Sequence, residues 1–226
     1  PNFIIAGGGE SGTSWMYASL LQHPEVFLPK EMRPEPHYFY KSWEYAKGWD
    51  YYLQRWFSDV PAGAKAVGER SSSYFFGETC ADRIKKALPN VKILVMFREP
   101  VDRAYSNWRF TVESGFETAS FEDAVRLEPE RLAGLTDPVT KEIQPQAYLA
   151  RSRYGEQVTR YASAFPREQM LFLNSDHVKK DEAGALVRIC KFLDVDPGFQ
   201  FRSPGTFPTS SVRSRRLQAV LGRQFR

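Results

Sequence analysis

Eight residues that follow a short apolar run carry the side-chain and backbone types of a phosphate-binding loop. Residues 7–14 read Gly-Gly-Gly-Glu-Ser-Gly-Thr-Ser. Glycines let backbone N–H groups approach a phosphate closely, and the hydroxyls of Thr13 and Ser14 add donors where a helix would begin. The stretch therefore predicts an anion-binding loop at the N-terminus of a helix.

The same loop departs from two common nucleotide-binding patterns. The nucleoside-triphosphatase pattern G-x-x-x-x-G-K-[ST] requires lysine where Thr13 stands. The dinucleotide-binding pattern requires a third glycine where Ser14 stands, and no acidic residue ends a suitably placed second strand. A nucleotide-dependent kinase is therefore the weaker alternative for an enzyme with this loop.

Further along the chain, charged and polar side chains follow two apolar runs. Arg98 comes after the run Val91–Phe97, and Ser106 follows it by eight residues within a helical stretch. An arginine there can bind a phosphate through paired, charge-assisted hydrogen bonds. Glu69 follows a second short run and is a candidate general base, unless it only forms an ion pair with Arg70 or another neighbour.

Four motifs in this order resemble the PAPS-dependent sulfotransferases, in particular the bacterial and heparan-sulfate-type branch. The motifs are the following stretches: Glu-Ser-Gly-Thr-Ser at 10–14, Glu-Pro-His-Tyr-Phe at 35–39, Glu-Arg-Ser-Ser-Ser-Tyr-Phe at 69–75 and Arg-Glu-Pro-Val-Asp-Arg-Ala-Tyr-Ser at 98–106. They are similar to that family's 5′-phosphosulfate loop (K-[SG]-G-T-[ST]), its E-P-H-F-F and E-[KR]-[ST]-x-x-Y-F elements, and its 3′-phosphate motif (R-[DN]-P-x-x-R-x-x-S).

The resemblance implies binding of 3′-phosphoadenosine 5′-phosphosulfate (PAPS) and its product PAP, and transfer of the sulfuryl group without a metal. The acceptor would be a hydroxyl or amine of a carbohydrate, glycolipid or secondary metabolite. Glu69 would be the general base; His37 would be a rival base or orient the acceptor, or else be an ordinary hydrogen-bonded histidine among aromatic rings. Arg103 is expected to support the sheet edge or a salt bridge rather than the cofactor. The expected cofactor contacts are Glu10, Ser11, Gly12, Thr13, Ser14, Trp15, Arg98, Ser106 and Arg213.

Two residues depart from the family's pattern. Glu10 stands where the family has the lysine of the phosphosulfate loop, and Pro34 stands where it has a lysine before E-P-H. Arg33 and Lys30 are the candidate substitutes for the lysine missing at Pro34. Three explanations are open: nearby Lys or Arg side chains compensate, the chain is a deliberately inactivated Lys→Glu variant, or it is a natural member with weakened or altered donor use. A sulfotransferase fold that binds adenosine phosphates without catalysis is the alternative function.

The elements that must position these residues alternate between strand and helix. Short apolar runs that end in loops, each followed by a helical pattern, predict an α/β three-layer sandwich with a mainly parallel sheet, the P-loop-NTPase-like sulfotransferase fold that the resemblance implies. Residues 1–226 are interpreted as a single domain. The aromatic segment 29–61 and the polar segment 128–147 are candidate lid or acceptor loops, with aromatic packing of an irregular region as the alternative for the first. The expected strands are 2–6, 65–68, 91–97 and 169–173, and the expected helices 14–22, 78–87, 100–113, 148–165 and 181–193.

The net charge and the cysteine content indicate which kind of binding partner and which cellular compartment to expect. A formal net charge of +4 over 226 residues suits a small anionic ligand and is too dispersed to favour nucleic acid. The two cysteines, Cys80 and Cys190, lie in helical patterns, which predicts reduced, buried thiols and a cytoplasmic location rather than a disulfide or a zinc site. No apolar stretch approaches the ~20 residues of a membrane span. The oligomeric state stays open.

Overall fold

Five parallel strands form one sheet in the order β2-β3-β1-β4-β5 in the computed structural model, which describes residues 1–204. The strands are β1 (Phe3–Gly7), β2 (Val26–Phe27), β3 (Ala66–Arg70), β4 (Lys92–Phe97) and β5 (Met170–Asn174). Strand β1 is central and pairs with β3 through Phe3↔Gly68 and with β4 through Phe3↔Lys92. All of its residues are buried, as expected for a strand covered on both faces.

The described residues group into two compact units. One comprises Pro1–Arg98 and the described chain from Gly155 onward, and the other comprises Glu99–Tyr154. The first unit contains the sheet together with α1 (Thr13–Leu20), α2 (Ser42–Tyr45), α3 (Trp49–Phe57), α4 (Cys80–Ala87), α8 (Tyr154–Ala164, whose first residue belongs to the second unit), α9 (Ser175–Lys180) and α10 (Glu182–Leu193). The second contains α5 (Pro100–Glu113), α6 (Phe121–Ala133) and α7 (Pro138–Ile143).

Two apolar clusters cover the two faces of the sheet. Ile5 and Leu94 face α1 and α10, with Met16 and Ile189 among the buried contacts on that side. Alternate residues of the same strands, such as Ile4, face α3, α4 and α8. This arrangement of helices, sheet and helices confirms the predicted three-layer α/β fold with a parallel sheet.

Segment 29–61, predicted as a lid or acceptor wall, contributes largely to the core of the first unit. The rings of Tyr38, Phe39 and Tyr52 are buried, and Tyr38 stacks on Tyr52 with 4.4 Å between ring centroids. For these rings the alternative of aromatic packing is the one observed.

The second unit is organised around buried polar side chains. Arg103, 1% exposed, donates to the Ser152 hydroxyl (2.6 Å), to Asn107 (3.1 Å) and to the Tyr148 carbonyl (2.5 Å). These contacts join α5 to the chain around Tyr148 and Ser152, and they differ from the sheet-edge contact or salt bridge that was predicted for Arg103. Segment 128–147 is not an irregular loop, because it contains the end of α6 and all of α7; Asp137 caps α7 by accepting the Thr140 N–H at 2.8 Å.

Cys80 and Cys190 are free and buried, which agrees with the prediction for their thiols. Within residues 1–204, the helices all fall short of the length and apolar character that a membrane span needs.

Candidate active site

The Gly-rich loop joins the carboxyl end of β1 to α1 at the centre of the sheet. Gly12 precedes α1 in the left-handed region (φ 100°), where glycine is favoured, and no side chain caps the helix. The first turn of α1 contains no acidic residue. No carboxylate of the helix itself therefore offsets the positive end of its dipole, and Glu10 in the preceding loop is the acidic residue nearest to it in sequence.

Two polar atoms of this loop region are buried without a protein partner. The Ser11 hydroxyl lies in a residue that is 1% exposed and makes no hydrogen bond, and the indole N–H of Trp15 likewise has none. Buried polar groups in native proteins are nearly always paired, so orphaned donors at a helix N-terminus indicate a place for an anionic ligand. The donor set fits a phosphate or phosphosulfate group.

Two guanidinium groups reach the loop from neighbouring strands. Nη1 of Arg70, at the end of β3, donates to Oγ of Ser14 at 2.9 Å. Nη1 of Arg98, directly after β4, donates to the carbonyl oxygen of Glu10 at 3.3 Å. Glu10 itself has a left-handed backbone (φ 64°). Lys30 and Arg33, the expected substitutes for the lysine missing at Pro34, are exposed, whereas Arg70 is 4% exposed and contacts the loop.

Beside the loop, Glu35 is held by Arg70 and by the turn after β3. Its Oε1 lies 2.9 Å from Nη2 of Arg70, and its Oε2 accepts the N–H of Ser72 at 2.8 Å and the Ser72 hydroxyl at 2.9 Å. Nε2 of His37 lies 3.5 Å from the same Oε2. The Glu35 and His37 side chains remain 11% and 20% exposed, so an acceptor can reach this pair.

Glu69, the predicted base, lies on the opposite face of β3 from Arg70. Successive residues of a strand point to opposite faces, so the alternative of a Glu69–Arg70 ion pair is not formed and Arg70 pairs with Glu35 instead. Glu69 is completely buried and accepts hydroxyl protons from Tyr52 (3.0 Å), Tyr74 (2.7 Å) and Ser71 (2.8 Å). Burial raises the pKa of Glu69 to about 7, although the three hydroxyl donors oppose this shift.

The remaining predicted residues lie in different places. Thr13 is buried in the first turn of α1. Ser106 is half-exposed on α5, in the second unit. Arg213 lies outside the described residues. The described chain offers no cluster of three or more metal-ligating side chains.

Sequence reasoning named neither Glu35 nor Arg70 as a site residue, although both stand inside motifs that it singled out. The sequence signal that could have pointed to Arg70 was the two-residue period of β3, which places Glu69 and Arg70 on opposite faces of the strand.

A cavity of about 460 Å³ opens at the carboxyl ends of β4 and β5, where Phe97, Asn174 and Arg188 line it.

Comparison with known proteins agrees with this geometry. The profile of the family described as "Sulfotransferase domain" matches residues 1–202. The chain belongs to the sulfotransferase domain family. A sulfotransferase from Alicyclobacillus acidocaldarius has a similar solved structure, with a TM-score of 0.78 and 31% identity over 92% of this chain and 86% of that one.

Curated mammalian relatives are longer than the sulfotransferase domain described here. Mouse heparan sulfate glucosamine 3-O-sulfotransferase 3B1 is 31% identical over 216 residues, which cover 92% of this chain and 51% of the relative. Mouse bifunctional heparan sulfate N-deacetylase/N-sulfotransferase 4 is 27% identical over 216 residues, covering 92% of this chain and 24% of the relative. The chain thus spans about half or less of the length of these relatives.

Proposed function

We propose that this sulfotransferase domain transfers a sulfuryl group from PAPS to a hydroxyl or amine of a carbohydrate acceptor. The observation that carries the proposal is the Gly-rich loop, where the orphaned Ser11 hydroxyl lies at an uncapped helix N-terminus and the guanidinium groups of Arg70 and Arg98 bind the neighbouring Ser14 and Glu10. The carbohydrate acceptor rests on the names of the heparan sulfate relatives. A cytoplasmic location stays a prediction from the reduced cysteines.

The loop residues would hold the phosphosulfate group of the donor. PAPS supplies the activated sulfuryl group, bonded to a phosphate that becomes a good leaving group. Ser11, Thr13 and Ser14 would donate hydrogen bonds to its oxygens, and the dipole of α1 would stabilise the negative charge. Arg70 and Arg98 provide the positive charge that the loop loses through Glu10. Contact of Ser106 and Arg213 with the cofactor stays a prediction.

Glu35 is the best-placed group to accept the acceptor's proton. A general base must come within hydrogen-bond reach of that proton, and Glu35 is partly exposed beside His37 while Glu69 is completely buried. As the acceptor oxygen or nitrogen bonds to sulfur, its proton moves to the Glu35 carboxylate and the sulfur–oxygen bond to the 5′-phosphate breaks, releasing PAP. His37 lies beside that carboxylate and orients the acceptor.

The donor half of the proposal is tested by calorimetric titration of PAP, and of ATP with magnesium, into the wild type and a Glu10→Lys variant. We expect micromolar PAP binding, weak ATP binding and PAP binding about tenfold tighter in Glu10→Lys, because a hydrogen bond to a charged group contributes about 1.5–3 kcal/mol. Glu168→Lys, an exposed site on a 3₁₀ turn, changes the net charge equally and controls for long-range attraction. Absence of PAP binding in every variant would contradict the proposal, and tight ATP binding would favour a kinase.

The catalytic half is tested by sulfuryl transfer from PAPS to glucosamine-containing oligosaccharides. We expect Glu35→Gln to lower kcat by about 10²–10⁴-fold, the range that general acid–base catalysis supplies, with PAP affinity within about twofold of the wild type. If the wild type binds PAP but transfers nothing to any acceptor while Glu10→Lys does, the natural domain is a nucleotide-binding module. A Glu35→Gln variant with full activity would remove Glu35 from the mechanism.

A further inference from the structure

Glu69 is a completely buried acid that the proposed reaction does not use directly. Its Oε1 accepts the hydroxyl protons of Tyr52 and Tyr74, and its Oε2 accepts that of Ser71. A carboxylate only accepts hydrogen bonds, so all three hydroxyls must direct their protons at it. Burying a carboxylate without hydrogen-bond donors costs free energy. The three donors around Glu69 reduce this cost, and together they form a fixed hydrogen-bond network.

Two of these hydroxyls also accept hydrogen bonds from the polypeptide backbone. Oγ of Ser71 accepts the N–H of His37 at 2.8 Å, and Oη of Tyr74 accepts the N–H of Phe39 at 3.3 Å. Since each hydroxyl has only one proton and gives it to Glu69, a lone pair is left facing the segment 35–39. Tyr52, by contrast, donates to Glu69 from α3 and accepts no backbone N–H of that segment among its hydrogen bonds.

The segment held in this way includes a residue with a strained backbone. His37 has φ 48°, in the left-handed region that costs a residue with a side chain about 1 kcal/mol or more. Such conformations persist where the surroundings fix them, and they are concentrated at functional sites. The bond from the His37 N–H to Ser71 is one of the contacts that fix this one, and His37 lies two residues from Glu35.

We propose that Glu69 is a positioning residue for sulfuryl transfer, which acts through the hydroxyls of Ser71 and Tyr74 to hold His37 in its left-handed conformation and so present the Glu35–His37 pair to the acceptor. The inference rests on the proposed function, because it gives that pair its role. It differs from the sequence-based assignment, in which Glu69 itself takes the proton.

The positioning depends on the ionised form of Glu69. A protonated carboxyl would donate its own hydrogen bond, so one of the three hydroxyls would have to turn away and lose its present alignment. Burial raises the pKa of Glu69 to about 7, and the positioning is therefore gained as the pH rises through about 7. The titratable groups around it are Tyr52 of α3, Tyr74, Tyr161 of α8, Glu35 and the amino group of Pro1; Arg70 is on the other face of β3.

The experiment compares kcat, the KM for PAPS and PAP affinity in Ser71→Ala, Tyr74→Phe, Tyr52→Phe and Glu69→Gln. We expect Ser71→Ala and Tyr74→Phe each to lower kcat by about tenfold, since small misplacements of catalytic groups cost up to about 100-fold. PAP affinity should stay within about twofold, because the donor loop is untouched. Tyr52→Phe, the matched control, removes a Glu69 partner that makes no hydrogen bond to the segment, keeps the ring that stacks on Tyr38, and should cost less than either. Near-ultraviolet circular dichroism and PAP binding verify that each variant is folded.

Two further measurements separate positioning from direct catalysis by Glu69: the double variant of Ser71→Ala with Glu69→Gln, and the dependence of kcat on pH. We expect Glu69→Gln to lower kcat by about 10–100-fold, Ser71→Ala to add little further loss in that background, and the rise of kcat near pH 7 to vanish. If Glu69 is the base, Glu69→Gln abolishes transfer while Ser71→Ala and Tyr74→Phe stay within twofold of the wild type, which overturns the inference. An unchanged rise near pH 7 in Glu69→Gln also overturns it. Failure of the proposed function is distinguishable, because the wild type itself would then transfer no sulfate, whether or not it binds PAP.

Discussion

The buried hydroxyl of Ser11 carries much of the argument for an anionic ligand. In the unliganded chain its donor capacity is unused, and a buried polar group without a partner costs about 1–3 kcal/mol. A structural serine at this position would be expected to have a partner. Ser19, on the following helix, is also buried with an unpartnered hydroxyl but lies away from the loop.

These two serines make a matched pair for testing the donor site. We expect Ser11→Ala to weaken PAP binding by about 10–100-fold, equivalent to one hydrogen bond to a charged group, and to leave the free energy of unfolding of the unliganded protein unchanged or higher. Ser19→Ala should have a similar effect on stability and none on PAP binding. Calorimetry and urea unfolding measure both quantities, and equal PAP affinities in the two variants would remove Ser11 from the donor site.

The sequence predicted the location of single site residues where a motif places them directly after a strand. The loop and Arg98 could be expected together, because both follow the carboxyl ends of strands, and the structure joins them through the Glu10 carbonyl. The Glu35–Arg70 pair could not, since the two residues are 35 positions apart and only the return of the chain past β3 makes them neighbours.

At the level of elements, the close approach of β1 and β3 fixes the frame under the site. A Cβ atom placed on Gly68 would lie 2.5 Å from the carbonyl oxygen of Phe3 and 2.6 Å from its ring, so no side chain fits there. The strand that carries Glu69 and Arg70 is thus held against the strand that carries the loop.

We expect Gly68→Ala to lower the free energy of unfolding by about 1–3 kcal/mol, because overpacking against a backbone atom forces the strands to shift. Gly63→Ala is the control, since a Cβ there meets no atom within 4 Å, and its effect should stay within about 0.5 kcal/mol. Urea unfolding followed by tryptophan fluorescence measures both. Equal stability of Gly68→Ala and the wild type would show that the two strands can separate at little cost.

Elements with a clear apolar or helical pattern were predictable, including β3 and β5, and elements without one were not. Strands β1 and β4 and helices α1, α4, α5 and α10 fall within two residues of their expected ends. Strand β2 has only two residues and no pattern of its own, so it exists through pairing with β3. Helix α8 begins at Tyr154, six residues later than expected, because a 3₁₀ turn at Ala150–Ser152 precedes it.

For the molecule as a whole, the buried carboxylate of Glu69 links stability to pH. Its pKa is about 7 in the folded protein and 4.5 for an unperturbed glutamate, so between these values the folded state binds the proton more tightly. Stability from this group is complete below pH 4.5 and is lost as the pH rises through 7. The difference corresponds to about 3 kcal/mol.

We therefore expect the wild type to lose up to about 3 kcal/mol of unfolding free energy between pH 5 and pH 8 from this residue. The loss should be absent in Glu69→Gln, whose amide does not titrate. Urea unfolding of both proteins across this range gives the slope of unfolding free energy against pH for each. Comparing the two slopes cancels any effect of the substitution that does not depend on pH. Parallel pH profiles would show that Glu69 ionises in the folded state as it does in water.

The central position of β1 also has a consequence for synthesis on the ribosome. Its two neighbours, β3 and β4, begin at Ala66 and Lys92, so the nascent chain must carry the apolar stretch Phe3–Gly7 without a pairing partner until those residues have emerged. Strand β5 follows only at Met170, about 10–30 s after β1 at a translation rate of about 5–20 residues per second. The strand that leads into the phosphate-binding loop is thus made well before both of its pairing partners, so it is an unpaired apolar segment during this part of synthesis.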